Sequence, residues 1–261
     1  MYASERQDEI RAVLREDGRV SVLALSERFG VTPETVRRDL DLLESEGLAK
    51  RVHGGAVLGA RTSRAEVPLV ERSHRVPEAK QRIASRALQA LKPGFRGSLY
   101  LDAGSTTAQV AATLDAHLGS TGGRAEVVTH SMQLAAALSG AEHLALTAIG
   151  GRVRGLTAAA VGGETIRSIG ALRPDIAFLG TNGLSADFGL STPDPDEADV
   201  KTAIVGAGRR VIVLADAEKF EEDLLVRFAS LSDIDVLVTD AAPPQPLADA
   251  LDAAGVEVWL A

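Results

Sequence analysis

Thr35, Arg37 and Arg38 lie on a stretch whose apolar residues Val36, Leu40 and Leu43 recur every three to four positions. A helix there turns those three inward and presents a hydroxyl and two guanidiniums outward, with Glu34 and Asp41 beside them. Guanidiniums pair with guanine edges and with phosphates, and hydroxyls pair with either. Sequence leaves open which arginine meets a base. Lys50, Arg51 and His53 form a second cationic group a few residues on.

The elements around these groups are legible too. Val22, Leu25 and Phe29 keep helical spacing up to Gly30, which accepts the positive φ of a helix C-terminus. Gly30-Val31 is then the turn, Thr32 an N-cap and Pro33 the first helical residue. Gly47-Leu48 ends the second helix, residues 48–52 read as a strand, His53-Gly54-Gly55 as a hairpin turn and residues 56–58 as the return. The pattern predicts a winged helix-turn-helix contacting double-stranded DNA through Ser21, Thr32, Glu34, Thr35, Arg37, Arg38, Lys50, Arg51 and His53. The competing reading is a plain helical hairpin with a surface arginine pair, since residues 1–58 carry slightly more acidic than basic side chains.

The segments Glu5-Arg6-Gln7, Gly18-Arg19-Val20, Phe29-Gly30-Val31-Thr32, Val36-Arg37-Arg38-Asp39-Leu40, Leu48 and Arg51-Val52-His53-Gly54-Gly55-Ala56 resemble the N-terminal domain of the DeoR family of bacterial transcriptional regulators. The resemblance continues through nearly the whole chain.

At 261 residues the chain has room for that module plus one domain of about 180 residues with a real core. Absence of cysteine removes disulfides, thiolate metal sites and a cysteine nucleophile. A charged rather than signal-like N-terminus and no long apolar run set the expectation of a cytoplasmic protein without membrane spans. The net charge of −8 argues for a discrete DNA patch on an acidic body, not general nucleic-acid coating. The five histidines show no paired metal-ligand spacing, so neither a metal nor a cofactor is expected.

Residues 59–80 lack a consistent apolar period and contain two prolines, so they read as a linker. From residue 81 to 261, helical and strand segments alternate, which predicts a parallel α/β sheet with crossover helices. Ligands gather at the carboxyl ends of such strands. Four turns stand there: Asp102-Ala103-Gly104-Ser105-Thr106-Thr107, Gly150-Gly151-Arg152-Val153-Arg154, Gly180-Thr181-Asn182-Gly183 and Asp216-Ala217-Glu218-Lys219. In the first, hydroxyls and a helix N-terminus suit a phosphate. Each turn alone also reads as an ordinary cap or strand end, and Lys201 and Lys219 as solvated ion pairs. His130 reads equally as pocket lining or surface.

The resemblance gives these turns a role. The DeoR sensor domain is similar in fold to ribose phosphate isomerase and the CoA-transferase group, and in the family it binds phosphorylated sugars or their derivatives. The matching positions are Asp102, Gly104, Ser105, Thr106, Thr107, Gly150, Gly151, Arg152, Gly180, Asn182, Gly183, Glu197, Lys201, Asp216 and Lys219. Glu218 stands where the family has a small hydroxyl residue, which sets a carboxylate beside that loop. Met1-Tyr2-Ala3, residues 155–161, Thr181-Asn182-Gly183 and Arg227-Phe228 leading to Asp233-Ile234-Asp235 look like the fructose-operon regulators of actinobacteria. That resemblance implies a repressor of a sugar-utilisation operon, a homodimer or tetramer, released by fructose 1-phosphate. The alternative is an isomerase-like enzyme fused to a DNA-binding domain, with Asp102, Glu197 and Asp216 as bases and Lys201 or Lys219 as electrophile. A scaffold reading leaves the outward arginines without a purpose.

Overall fold

The computed structural model describes residues 3–45, 48–58, 63 and 66–261. The helix stop expected at Gly47, and most of 59–65, lie outside the described residues. The chain divides into two compact units, Met1–Ala65 and Glu66–Ala261.

The first unit runs α1 (Ala3–Asp17), β1 (Arg19–Ser21), α2 (Val22–Phe29), α3 (Pro33–Ser45), β2 (Ala49–Val52) and β3 (Gly55–Leu58). Gly30 ends α2 with φ 64° and Pro33 opens α3, as the sequence predicts. Val36, Leu40 and Leu43 are buried against Leu25, Ile10 and Leu14. The hairpin of β2 and β3 is antiparallel, and β3 also pairs with β1, which seats the wing on the helices. Helix α1 falls before the segment from which the motif is legible. Its inward stripe is Arg6, Ile10 and Leu14, and Arg6 donates to both oxygens of Asp39 on α3, at 2.6 and 3.1 Å, while Gln7 donates to Oδ1 at 3.0 Å. Asp39 falls on the inward face because it shares the three-to-four spacing of Val36, Leu40 and Leu43.

The second unit begins with α4 (Leu69–His74) and α5 (Pro77–Ala87), then β4 (Arg96–Leu101), α6 (Ser105–Thr121), β5 (Arg124–Thr129), α7 (Met132–Leu138) and β6 (Leu144–Ala148). It continues with the short strands β7 (Arg152–Arg154) and β8 (Ala159–Val161), α8 (Gly163–Gly170), β9 (Ile176–Gly180), β10 (Gly183–Ser185), β11 (Gly189–Thr192) and α9 (Pro195–Ala207). The last elements are β12 (Val211–Leu214), β13 (Val226–Ala229), β14 (Val236–Thr239), α10 (Gln245–Ala253) and β15 (Glu257–Leu260). Helix α4 and the first turn of α5 fall inside the segment that reads as linker. Six residues are too few to show a period, yet Leu69 is buried and donates its N–H to the Leu156 carbonyl.

Seven strands form one sheet in the order β15-β14-β12-β9-β4-β5-β6, with every pairing parallel. Both faces are covered. Leu99, Leu101, Phe178, Ile212 and Val238 meet α5 and α6 on one side. Tyr100, Leu179, Val213 and Leu237 meet α8, α9 and α10 on the other. Burial on both faces is why these strands read as continuous apolar runs. The chain leaves β4 toward β5 and β6, then returns to β4's other side with β9, so the order reverses between β4 and β9. That is where an open α/β sheet has its crevice. Two antiparallel additions, β7 with β8 and β10 with β11 and β13, flank the sheet; their three- and four-residue strands carry too little pattern to be read from sequence.

The Arg6–Asp39 pair is, among the described residues, the buried ion pair of the first unit, so Asp39→Ala should lower that unit's stability by about 2 kcal/mol. Hydrogen exchange read separately for residues 3–45 and for the sheet should show the loss only in the former.

Candidate functional site

On α3 the outward side chains are Glu34, Arg37, Arg38 and Asp41, all exposed. Thr32 accepts from the Thr35 N–H at 3.3 Å and its hydroxyl lies 2.9 Å from that of Thr35, so the cap also fixes Thr35. Arg37 pairs with Glu34 at 3.2 Å, whereas Arg38 is exposed with no partner among the described residues. Lys50 and His53 are exposed on the hairpin, and Ser21 is exposed at the start of α2, where its side chain makes no cap bond. Arg51 departs from the sequence reading. It donates to Asp41 at 2.6 Å and to the Arg37 carbonyl at 3.1 Å, and its own N–H goes to Glu44 at 2.8 Å. Two α3 acceptors thus draw it back onto the helix, where it fastens the wing.

In the second unit, the crevice between β4 and β9 holds a buried charge pair. Asp102 follows β4, and Lys201 projects from α9. Lys201 Nζ donates to Asp102 Oδ2 at 2.5 Å and to the Gly180 carbonyl at 2.8 Å, and the Gly180 N–H donates to Asp102 Oδ2 at 2.9 Å. Asp102 and Lys201 are 1% and 5% exposed. Behind Asp102 stands His130, its Nε2 3.8 Å from Oδ1, with the Tyr100 hydroxyl 3.0 Å from its Nδ1. Burial pushes His130 down and Tyr100 well up, which keeps the imidazole neutral and the phenol protonated at pH 7. The phenol and Nδ1 share one hydrogen bond, and Nε2 faces the Asp102 carboxylate. His130 is therefore a buried support of the site and not a surface residue.

Helix α6 opens directly beyond Asp102. Ser105 and Thr106 are each 8% exposed, and their hydroxyls have no hydrogen-bond partner among the described residues. Thr107 is spent on the Gly104 carbonyl at 2.9 Å. The first-turn amides of α6 have no intrahelical acceptor, so this corner offers N–H and O–H donors beside the Asp102–Lys201 pair.

One turn before Lys201 on the same face of α9 is Glu197, which accepts from Thr157 at 2.6 Å and from Arg154 at 2.7 Å. The cation that the structure brings to this wall is Arg154. Arg152 instead pairs with Asp196 at the exposed surface. Arg154 closes the turn at residues 150–154 in the sequence, but the resemblance matches Arg152 there and not Arg154. Its ionisation is raised, first by the hydrogen bonds to Glu66. Asn182 accepts from Thr192 at 3.1 Å. Gly151 and Gly183 are packing positions, since a Cβ on Gly151 would meet the Thr165 hydroxyl at 2.1 Å and one on Gly183 the Glu222 carbonyl at 2.1 Å, whereas Gly150 has open space.

Asp216 and Lys219 form a separate corner after β12. Asp216 is 2% exposed, caps the following turn by accepting from the Glu218 N–H at 3.2 Å, and lies 3.7 Å from Lys219. Sequence reading missed Lys80, which faces this corner from α5 and donates to the carbonyls of Arg72 and Arg75 at the end of α4. Burial lowers it from 10.5 to about 8, against the attraction of Asp216. A lysine on the inward stripe with Ile83, Ala84 and Ala87 is the signal that could have found it. Among the described residues no group of histidine and carboxylate side chains could hold a metal ion, and no helix is long and apolar enough to cross a membrane.

Residues 6–62 match the DeoR-like helix-turn-helix domain and residues 75–241 the DeoR C-terminal sensor domain. The chain belongs to the DeoR family. It is 32% identical over 244 residues to the glycerol-3-phosphate regulon repressor of Escherichia coli K12, covering 94% of this chain and 93% of the relative. It is 34% identical over 258 residues to the HTH-type transcriptional regulator GlpR of Haloferax volcanii, covering 99% and 98%. Ribose 5-phosphate isomerase A from Methanocaldococcus jannaschii matches 55% of this chain and 54% of its own at 16% identity, with a TM-score of 0.41. This DeoR-family chain is thus a transcriptional regulator with a DNA-binding unit and a parallel α/β sensor unit, and not an enzyme.

The lowered Lys80 has a measurable consequence. Between about pH 8 and 10.5 the unfolded chain holds a proton that folded Lys80 has released, so stability should rise with pH across that window. Urea unfolding at stepped pH should show this rise in the wild type and a flatter profile in Lys80→Met.

Proposed function

We propose that this DeoR-family regulator represses a sugar-utilisation operon and is released by a phosphorylated sugar, with fructose 1-phosphate favoured. The observation that carries the ligand class is the pair of largely buried residues Ser105 and Thr106, whose hydroxyls have no partner among the described residues, on the first turn of α6 at the reversal of strand order. A phosphate there gains two O–H donors, the free amides and the positive end of the helix dipole. Lys201 has already given two of its three N–H groups to the frame, and the third is available to the ligand. Glu197 and Asn182 supply acceptors for sugar hydroxyls. Relatives named for a phosphorylated three-carbon polyol support the ligand class, and the resemblance to fructose-operon regulators supports the choice of sugar.

On the DNA side the reading rests on Thr35, Arg37 and Arg38 as the groups that enter the major groove, with Lys50 and His53 on the backbone. A two-fold operator requires at least a dimer. Release follows to the extent that the sugar binds the non-DNA-binding arrangement better.

Gel-shift titration of the operator tests both halves. Fructose 1-phosphate should release the DNA and fructose should not; equal effects of the two would remove the phosphate from the account. Arg38→Ala should cost about 1–3 kcal/mol of operator binding and relax preference at one base pair. Arg37→Ala should cost less, because Glu34 already holds that guanidinium.

A further inference from the structure

We infer that Glu66 and Arg154 are positioning residues that tie occupancy of the sensor site to the point where the chain leaves the second unit; this rests on the ligand reading above. Arg154 holds Glu66 with two parallel bonds, Nη1 to Oε1 at 3.0 Å and Nη2 to Oε2 at 2.7 Å. The same guanidinium bonds Glu197 at 2.7 Å and lies 3.2 Å from Asp194. The side chains of Arg154, Glu66 and Glu197 are 15%, 8% and 10% exposed. One cation thus serves three carboxylates in a nearly dry place.

The three carboxylates are unequally secured. Glu197 also accepts from Thr157, and Asp194 also caps α9 through the Glu197 N–H at 3.1 Å. Among the described residues the Glu66 carboxylate has Arg154 alone. A ligand that draws Arg154 toward a sugar hydroxyl therefore leaves Glu66 without its partner, while Glu197 and Asp194 keep theirs.

Glu66 is also the first residue of the second unit. Behind it the chain is held at few points: Leu69 by burial and its bond to Leu156, and the far end of α4 by Lys80. Between α4 and α5, Val76 sits at φ 39°, a left-handed conformation that a β-branched residue adopts only under constraint. Releasing Glu66 frees the chain up to Leu69, which adds about 10 Å of reach to the tether of the DNA-binding unit. A tether that already matches its span lowers that unit's effective concentration at its half-site when it is lengthened.

The full-length chain carrying Glu66→Gln, Arg154→Gln or both, with Glu66→Asp as the conservative variant, tests this. Operator affinity with and without fructose 1-phosphate, direct binding of that sugar, and hydrogen exchange at residues 66–76 are the readouts. We expect Glu66→Gln to raise exchange at 66–76 while exchange in β4 and β9 stays unchanged. It should also weaken operator binding several-fold without sugar and leave little further response when sugar is added. The double variant should be no weaker than Glu66→Gln alone, because the two residues act as a unit, and Glu66→Asp should restore part of the affinity. Wild-type operator affinity and sugar response in Glu66→Gln, or additive losses in the double variant, overturn the inference. If the wild type binds no fructose 1-phosphate and Glu66→Gln still weakens operator binding, the clasp stands and the ligand reading alone fails.

Discussion

Asp102 and Lys201 are charges removed from water at the one place where the sheet reverses its strand order, and the geometry of the sensor site depends on their staying paired. An unpaired charge at that depth is far more costly than a surface ion pair is stabilising. The pair therefore draws together three elements: the end of β4 that carries Asp102, the end of β9 through both polar groups of Gly180, and α9 through Lys201. Once α9 is fixed there, Glu197 is fixed one turn earlier, and with it Arg154 and Thr157. Tyr100 and His130 complete the node from the opposite side, held in neutral forms by the same dry surroundings.

The same rule sorts the cations of the molecule. Arg6, Arg51, Arg154, Lys80 and Lys201 each donate to two or more protein acceptors and serve as internal fasteners. Arg38 and Lys50 are exposed without a partner among the described residues and are open to phosphates or bases. A regulator of net charge −8 can bind DNA because exposed cations stand on α3 and the wing, while many of its other basic groups are neutralised from within.

Much of this was legible in the sequence because it rests on local chemistry. Gly30, Thr32 and Pro33 dictate a turn, a cap and a helix start through their own dihedrals and hydroxyl. The two-sided apolar strands announce a parallel sheet, and the turn at Asp102–Thr107 announces a helix N-terminus at a strand end. What stayed hidden needs contacts across long stretches of chain. Arg51 looks like a wing cation until Asp41 is brought beneath it, and Arg154 is inconspicuous until Glu66 and Glu197 arrive from 88 and 43 residues away. Helix α4 is too short to show a period, and its place is set by Leu69 and Lys80 rather than by its own sequence.

Lys201 acts first by holding Asp102 and Gly180 in register. The decisive measurement is a double-mutant cycle of Lys201→Met and Asp102→Asn, read as unfolding free energy of the second unit. Lys201→Met should be strongly destabilising because it leaves a buried carboxylate uncompensated. The double variant should recover part of that loss, with a coupling of at least about 1 kcal/mol. Additive losses, or wild-type stability in Lys201→Met, would show that the pair does not hold the crevice together.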